Sequence, residues 1–138
     1  MTAGLISVLA ASTMLFAALM SAYLVRRGIS DDWTSLSLPG TLYASVLLGV
    51  GVSIAIGSRR RWTASIAALL FAAMHLYSWR QLGWTGPAAA FFLVLDGIFV
   101  LHVIGGIIAM GAGAAIAYYW LYLNALWIVL LIFWSIWP

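Results

Sequence analysis

The sequence predicts an all-α protein: a polytopic membrane bundle with five transmembrane helices in a single membrane domain over residues 1–138. Three observations carry that expectation. Two thirds of the residues are apolar (66%), and the mean hydropathy is +1.13. Only 7% are charged, six Arg and three Asp with no Lys or Glu, whereas a soluble domain carries about 25%. The apolar residues also fall into five runs near the ~20 residues that cross the hydrocarbon of a bilayer.

The first run spans residues 5–25 and is closed by Arg26 and Arg27. The polar link RRGISDDWTSLSLPG follows, and the second run, 42–57, ends at Arg59, Arg60 and Arg61. The third, 62–79, is closed by Arg80; after QLGWTGP come the fourth, 89–112, and the fifth, 118–137. Pro39 and Pro87 stand where helices can begin, and Gly111 with Gly113 marks the turn into the last hairpin. Trp33, Trp62, Trp79, Trp84 and Trp137 fall at the expected interfaces, where an indole buries its ring and keeps its N–H wet.

Five spans put Arg26, Arg27 and Arg80 on one side and Arg59, Arg60 and Arg61 on the other. A count of basic residues therefore does not set the orientation, and the compact triple-arginine turn tilts it toward a cytoplasmic position. The basic balance is spread between apolar runs, so no nucleic-acid partner is expected. With no cysteine, disulfides, thiolate metal sites and thiol catalysis are excluded. The apolar start, without a basic n-region, predicts no removable signal peptide.

In lipid, helices associate through small residues that let backbones approach. Ser45, Gly49, Ser53 and Gly57 recur every four residues in the second run, Ala64, Ala68 and Ala72 in the third, and Gly105, Ala109 and Gly113 in the fourth. These patterns argue for packing rather than chemistry, in a bundle that offers its surface to a larger partner.

The ionisable groups within the runs are His75, Asp96 and His102, and polar groups at that depth are costly enough to be functional candidates. His75 and His102 could in principle ligate a haem, but their expected depths differ by about 10 Å at 1.5 Å per residue, which disfavours a shared axial pair. Asp96 and His102 are six residues apart, about 120° around a helix, so they do not form a single-face pair. For His102 the expectation is a helix contact bonded to a serine, a tyrosine or a backbone carbonyl. For Asp96 two roles stay open, interfacial structure and the handling of a proton or substrate, and His75 is a second polar contact. No residue of the chain is expected to be catalytic, to ligate a metal or to bind a cofactor. A carrier would be expected to show a broken helix or a repeat; neither is visible.

Several segments taken in order resemble a known family. MLFAALMSAYLVRR at 14–27 with Trp33 and Leu38-Pro39, LYSW at 76–79, DGIFVLHVIGG at 96–106 and the opening of the last run at Tyr119, Trp120 and Trp127 are similar to subunit III of haem-copper (cytochrome c) oxidases in its short, five-helix bacterial form. A relative of that subunit accompanies bacterial nitric oxide reductases. Gly97, His102, Val103, Gly105 and Gly106 match the family's histidine-and-glycine segment. The departures form a pattern: Ser12 and Ser78 stand where the family has glutamates, His75 replaces a glutamine, Phe99 the first histidine of a pair, and Leu121 and Asn124 a histidine and an aspartate. Asp96 is new.

The resemblance implies a non-redox accessory subunit of a respiratory terminal oxidase in the bacterial inner membrane, stabilising the catalytic subunit. Its partners would be subunit I, the other subunits and membrane lipids, with haem and copper held by those subunits and none in this chain. In this setting His102, Gly105, Gly106, Gly97, Trp120, Trp127 and Gly49 are expected to serve helix packing or subunit contact. An independent small transporter and a haem-b membrane anchor are the readings from other classes.

Overall fold

A computed structural model describes residues 2–138. Five α-helices, with no strand among the described residues, run in the order α1 (Ala3–Ile29), α2 (Gly40–Gly57), α3 (Arg61–Gln81), α4 (Pro87–Ile108) and α5 (Ala115–Ile136); a short 3₁₀ turn, Ala109–Gly111, extends α4. Four of them, α1, α2, extended α4 and α5, are long and apolar enough to cross a membrane. The protein is thus an all-helical membrane protein. The remaining helix, α3, has 21 residues but carries Arg61, His75, Ser78, Arg80 and Gln81.

Local sequence sets the helix ends. Pro39 precedes α2, and Pro87 opens α4 at its first position, where a missing N–H is harmless. Gly86 takes a positive φ of 91° just before it, and a Cβ there would lie 2.5 Å from the Thr34 hydroxyl. Gly113, at φ 78°, makes the turn between α4 and α5. The α2–α3 turn does the same without glycine: Arg59 sits at φ 58°, and the Arg60 N–H reaches back to the Ala55 carbonyl at 2.8 Å. That six-to-one bond with a left-handed residue before it is a Schellman end, where glycine is usual because a side chain is disfavoured.

Helices α2, α3, α4 and α5 form a ring in which each packs on its neighbours, and α1 lies outside against α4 and α5. Burial agrees: 44% of the most apolar stretch of α5 is buried inside the protein, against 11% for α1. On each helix of the ring one row of buried positions steps by threes and fours, with further buried residues such as Leu95, Val100 and Leu131 beside it. The row is Ile116, Trp120, Leu123, Trp127, Leu130 and Trp134 on α5, and Phe92, Asp96, Phe99, Val103, Gly106 and Met110 on extended α4. On α3 it is Ala64, Ala68, Phe71, His75 and Ser78, and on α2 Leu42, Ser45, Gly49 and Val52. A 3–4 alternation keeps one seam facing inward, as in left-handed bundles.

The four-residue stripes expected from the sequence therefore bury only in part. A step of four advances about 40° around a helix, so Ser53 is half-buried and Gly57 exposed while Ser45 and Gly49 face the core. On α4 the close approach is made by Gly106, where a Cβ would lie 3.0 Å from the Tyr119 ring and 3.2 Å from Trp120. Gly105 is exposed, and a Cβ at Gly97 would meet nothing within 4 Å; neither makes a close contact within the chain.

Candidate functional site

Helix α3 and helix α4 are antiparallel neighbours joined by residues 82–86, and their seams carry the buried ionisable groups. His75 and Trp79 are one turn apart on α3 and share a face. Asp96 takes the seam position between Phe92 and Phe99 on α4. The His75 Nδ1 lies 2.8 Å from Asp96 Oδ1, and the Trp79 indole N–H donates to Asp96 Oδ2 at 2.5 Å. His75 is fully buried and Asp96 1% exposed.

The sequence leaves Asp96 without a companion, and the structure corrects that. His75 and Trp79 complete a three-residue cluster. Trp79 had been expected to keep its N–H in the interfacial water; instead that donor serves the carboxylate. The signal was present as a histidine and a tryptophan at i, i+4 opposite an aspartate, but only the antiparallel register of α3 and α4 brings them together.

The surroundings of the cluster are aromatic. The His75 ring centroid is 4.4 Å from Trp127, 4.8 Å from Phe71 and 5.4 Å from Phe99, and its Nε2 has no hydrogen-bond partner. The two Asp96 carboxylate oxygens thus each have a partner on α3. The buried pair fastens α3 to α4.

His102 belongs to a different contact. Its Nδ1 lies 2.8 Å from the Ile98 carbonyl, which only an N–H can satisfy, and its Nε2 shares a hydrogen bond with the Ser12 hydroxyl 3.0 Å away. The His102 carbonyl in turn accepts from the Tyr119 hydroxyl at 2.9 Å. One residue thereby ties α1, α4 and α5 together. Both of its ring nitrogens are engaged within the chain. Among the described residues no three His, Cys, Asp or Glu side chains gather as a metal site would require.

The other polar residues of the seams are clamps of the same kind. Asn124 on α5 donates to the Gly49 carbonyl at 2.9 Å and to Ser53 Oγ at 2.7 Å. Trp127 donates to Ser45 Oγ at 2.9 Å, and the Ser45 hydroxyl donates to the Leu42 carbonyl at 2.6 Å. Ser78 Oγ meets Thr41 Oγ1 at 2.6 Å and donates to the Met74 carbonyl at 2.7 Å. Trp120 is fully buried with its N–H unpaired, so it contributes packing alone. No family model matches the sequence, and a search of curated proteins gives no match.

Proposed function

We propose that the chain is a non-redox accessory subunit, similar to subunit III of haem-copper oxidases, that packs beside a catalytic subunit in the bacterial cell membrane. One observation carries the reading. At three positions where that family has buried acids, this chain has Ser12, Ser78 and Asn124, and each makes a hydrogen bond between helices. Sites that could exchange protons have become fasteners, while the apolar outer surface stays available for a partner. The chain then acts by stabilising its neighbour, with no catalytic residue or cofactor of its own. In this reading α3 is the fifth span. Its 21 residues reach about 31 Å, and His75 and Ser78 turn inward so that lipid does not meet them.

The test is a mild-detergent pull-down of the tagged chain from its native membrane, with a reduced-minus-oxidised spectrum of the eluate. A large multi-helix partner with haem a or o supports the oxidase reading; haem b and c with nitric oxide turnover assigns the chain to the related reductases. A colourless chain without a partner overturns both. The transporter reading is favoured by a single feature, the buried His75–Asp96 pair, and would require substrate flux by the chain alone in liposomes.

A further inference from the structure

On one face of the bundle the α2–α3 turn and the α4–α5 turn enclose a recess of about 540 Å³, lined by Arg59 and Arg61 on one side and by Met110, Gly113, Ile116 and Tyr118 on the other. We propose that this recess docks an acidic segment of a partner protein, with an Asp or Glu side chain entering between the two arginines. The inference requires a protein partner, but not that the partner be an oxidase. Among the described residues no carboxylate pairs with Arg59, Arg60 or Arg61. Asp32 pairs with Arg26 at the opposite ends of the helices, Asp31 lies in the same link, and Asp96 is engaged inside the bundle. The charge of three adjacent arginines is therefore left for a partner to balance.

Backbone conformation adds a separate argument. Arg59 occupies the left-handed position that ends α2, where glycine would fit without strain. A side chain kept at such a position points to a use for it, and this one borders the recess. Helices α3 and α5 both begin at the rim, and neither has a side-chain cap or an acidic residue in its first turn, so the positive ends of two helices reinforce the guanidinium groups. The surroundings select a protein as the occupant. Every lining residue lies within about one turn of a helix end, so the recess opens at the end of the bundle and offers no track along the helices for an acyl chain. Beside it, sharing Arg61 and Met110, a smaller recess of about 240 Å³ includes Trp62, and Trp62 is 85% exposed. Arginine, tryptophan, tyrosine and methionine are the side chains enriched where proteins meet, while lysine is depleted; this face carries all four in a chain without lysine. A guanidinium takes a carboxylate through two parallel hydrogen bonds, which fixes direction as well as charge.

The test replaces Tyr118, which lines the recess and is 51% exposed, by the photo-crosslinker p-benzoylphenylalanine in the full chain in its native membrane. Irradiation should give a protein adduct, and mass spectrometry of the joined peptide should find an Asp or Glu within about one helical turn of the linked residue. Arg59→Gly together with Arg61→Gln should lower the yield about tenfold or more; because glycine suits the turn, misfolding is not expected to account for the loss. Arg60→Gln, a neighbour outside the recess, should change it less than about twofold. Exchanging charges, Arg61→Glu here and the identified acid to arginine in the partner, should restore the adduct. Equal loss in Arg60→Gln would reduce the effect to general surface charge and overturn the proposal. A joined peptide without an acid, adducts with lipid alone, or no adduct at all would overturn it as well. A haem-bearing partner in the pull-down with no adduct at Tyr118 would remove this inference and leave the oxidase reading, whereas an arginine-dependent adduct with a protein of a complex without haem would do the reverse.

Discussion

The cluster of His75, Trp79 and Asp96 is held by two hydrogen bonds that share one carboxylate, so its parts are not independent. Asp96→Ala would leave a buried imidazole and an indole N–H without acceptors, and should lower stability by about 3 kcal/mol. Asp96→Asn keeps one acceptor oxygen and should lose only about 1 kcal/mol, with the turnover of an associated complex nearly unchanged. Reversible unfolding in mixed micelles measures both; equal losses would mean that the carboxylate charge, rather than the bonds, matters. A large fall in proton uptake by the complex in Asp96→Asn would instead assign the residue to proton handling. His102, whose ring nitrogens are satisfied by Ser12 and the Ile98 carbonyl, is a junction of helices and not a member of this cluster.

Between elements, fit is decided by a few small residues. A Cβ at Gly49 would collide with the Asn124 side chain, which donates to the Gly49 carbonyl across the α2–α5 contact. Gly49→Ala should therefore cost about 1–3 kcal/mol in the same unfolding assay. Gly97→Ala, where the added carbon meets nothing, should be neutral or stabilise by up to about 1 kcal/mol through helix propensity; matching losses at the two sites would refute the packing account. The loop from α1 to α2 offers a pH-dependent contact. The Ser30 hydroxyl, the Asp32 backbone N–H and nearby Arg26 hold the Asp32 carboxyl below its ordinary value of 3.8. Its contribution is present above that value and disappears as pH falls through the lower folded value. Ser30→Ala removes the largest cause, so a carboxylate titration followed by NMR should move back toward 3.8; an unmoved curve would shift the cause to Arg26.

For the whole molecule, the decisive question is the path of α3. The chain has no native cysteine, so Ser58→Cys and Gln81→Cys, each at an exposed position beside an end of α3, report the topology directly. A membrane-impermeant maleimide should label the two variants from opposite sides. Labelling from the same side would mean that α3 does not cross, and the bundle would have four spans. The ring of α2 to α5 with α1 outside also gives the outer helix the largest apolar surface free to meet lipid or a partner subunit.

Composition and run lengths alone determined that this chain is helical and membrane-embedded, because a bilayer leaves so little freedom to a sequence with 7% charge. Helix starts at Pro39 and Pro87 and the glycine turn at Gly113 were legible too, being set by neighbouring backbone chemistry. The seams were not. Stripes of four looked continuous along the sequence, yet the bundle follows a 3–4 alternation, and only packing reveals which face points inward. For the same reason Gly106 rather than Gly105 or Gly97 became the close contact. Asp96 read as an isolated acid because its partners lie 21 and 17 residues away on another helix. Their meeting depends on the register of two antiparallel helices, a property of the tertiary structure that no local pattern encodes.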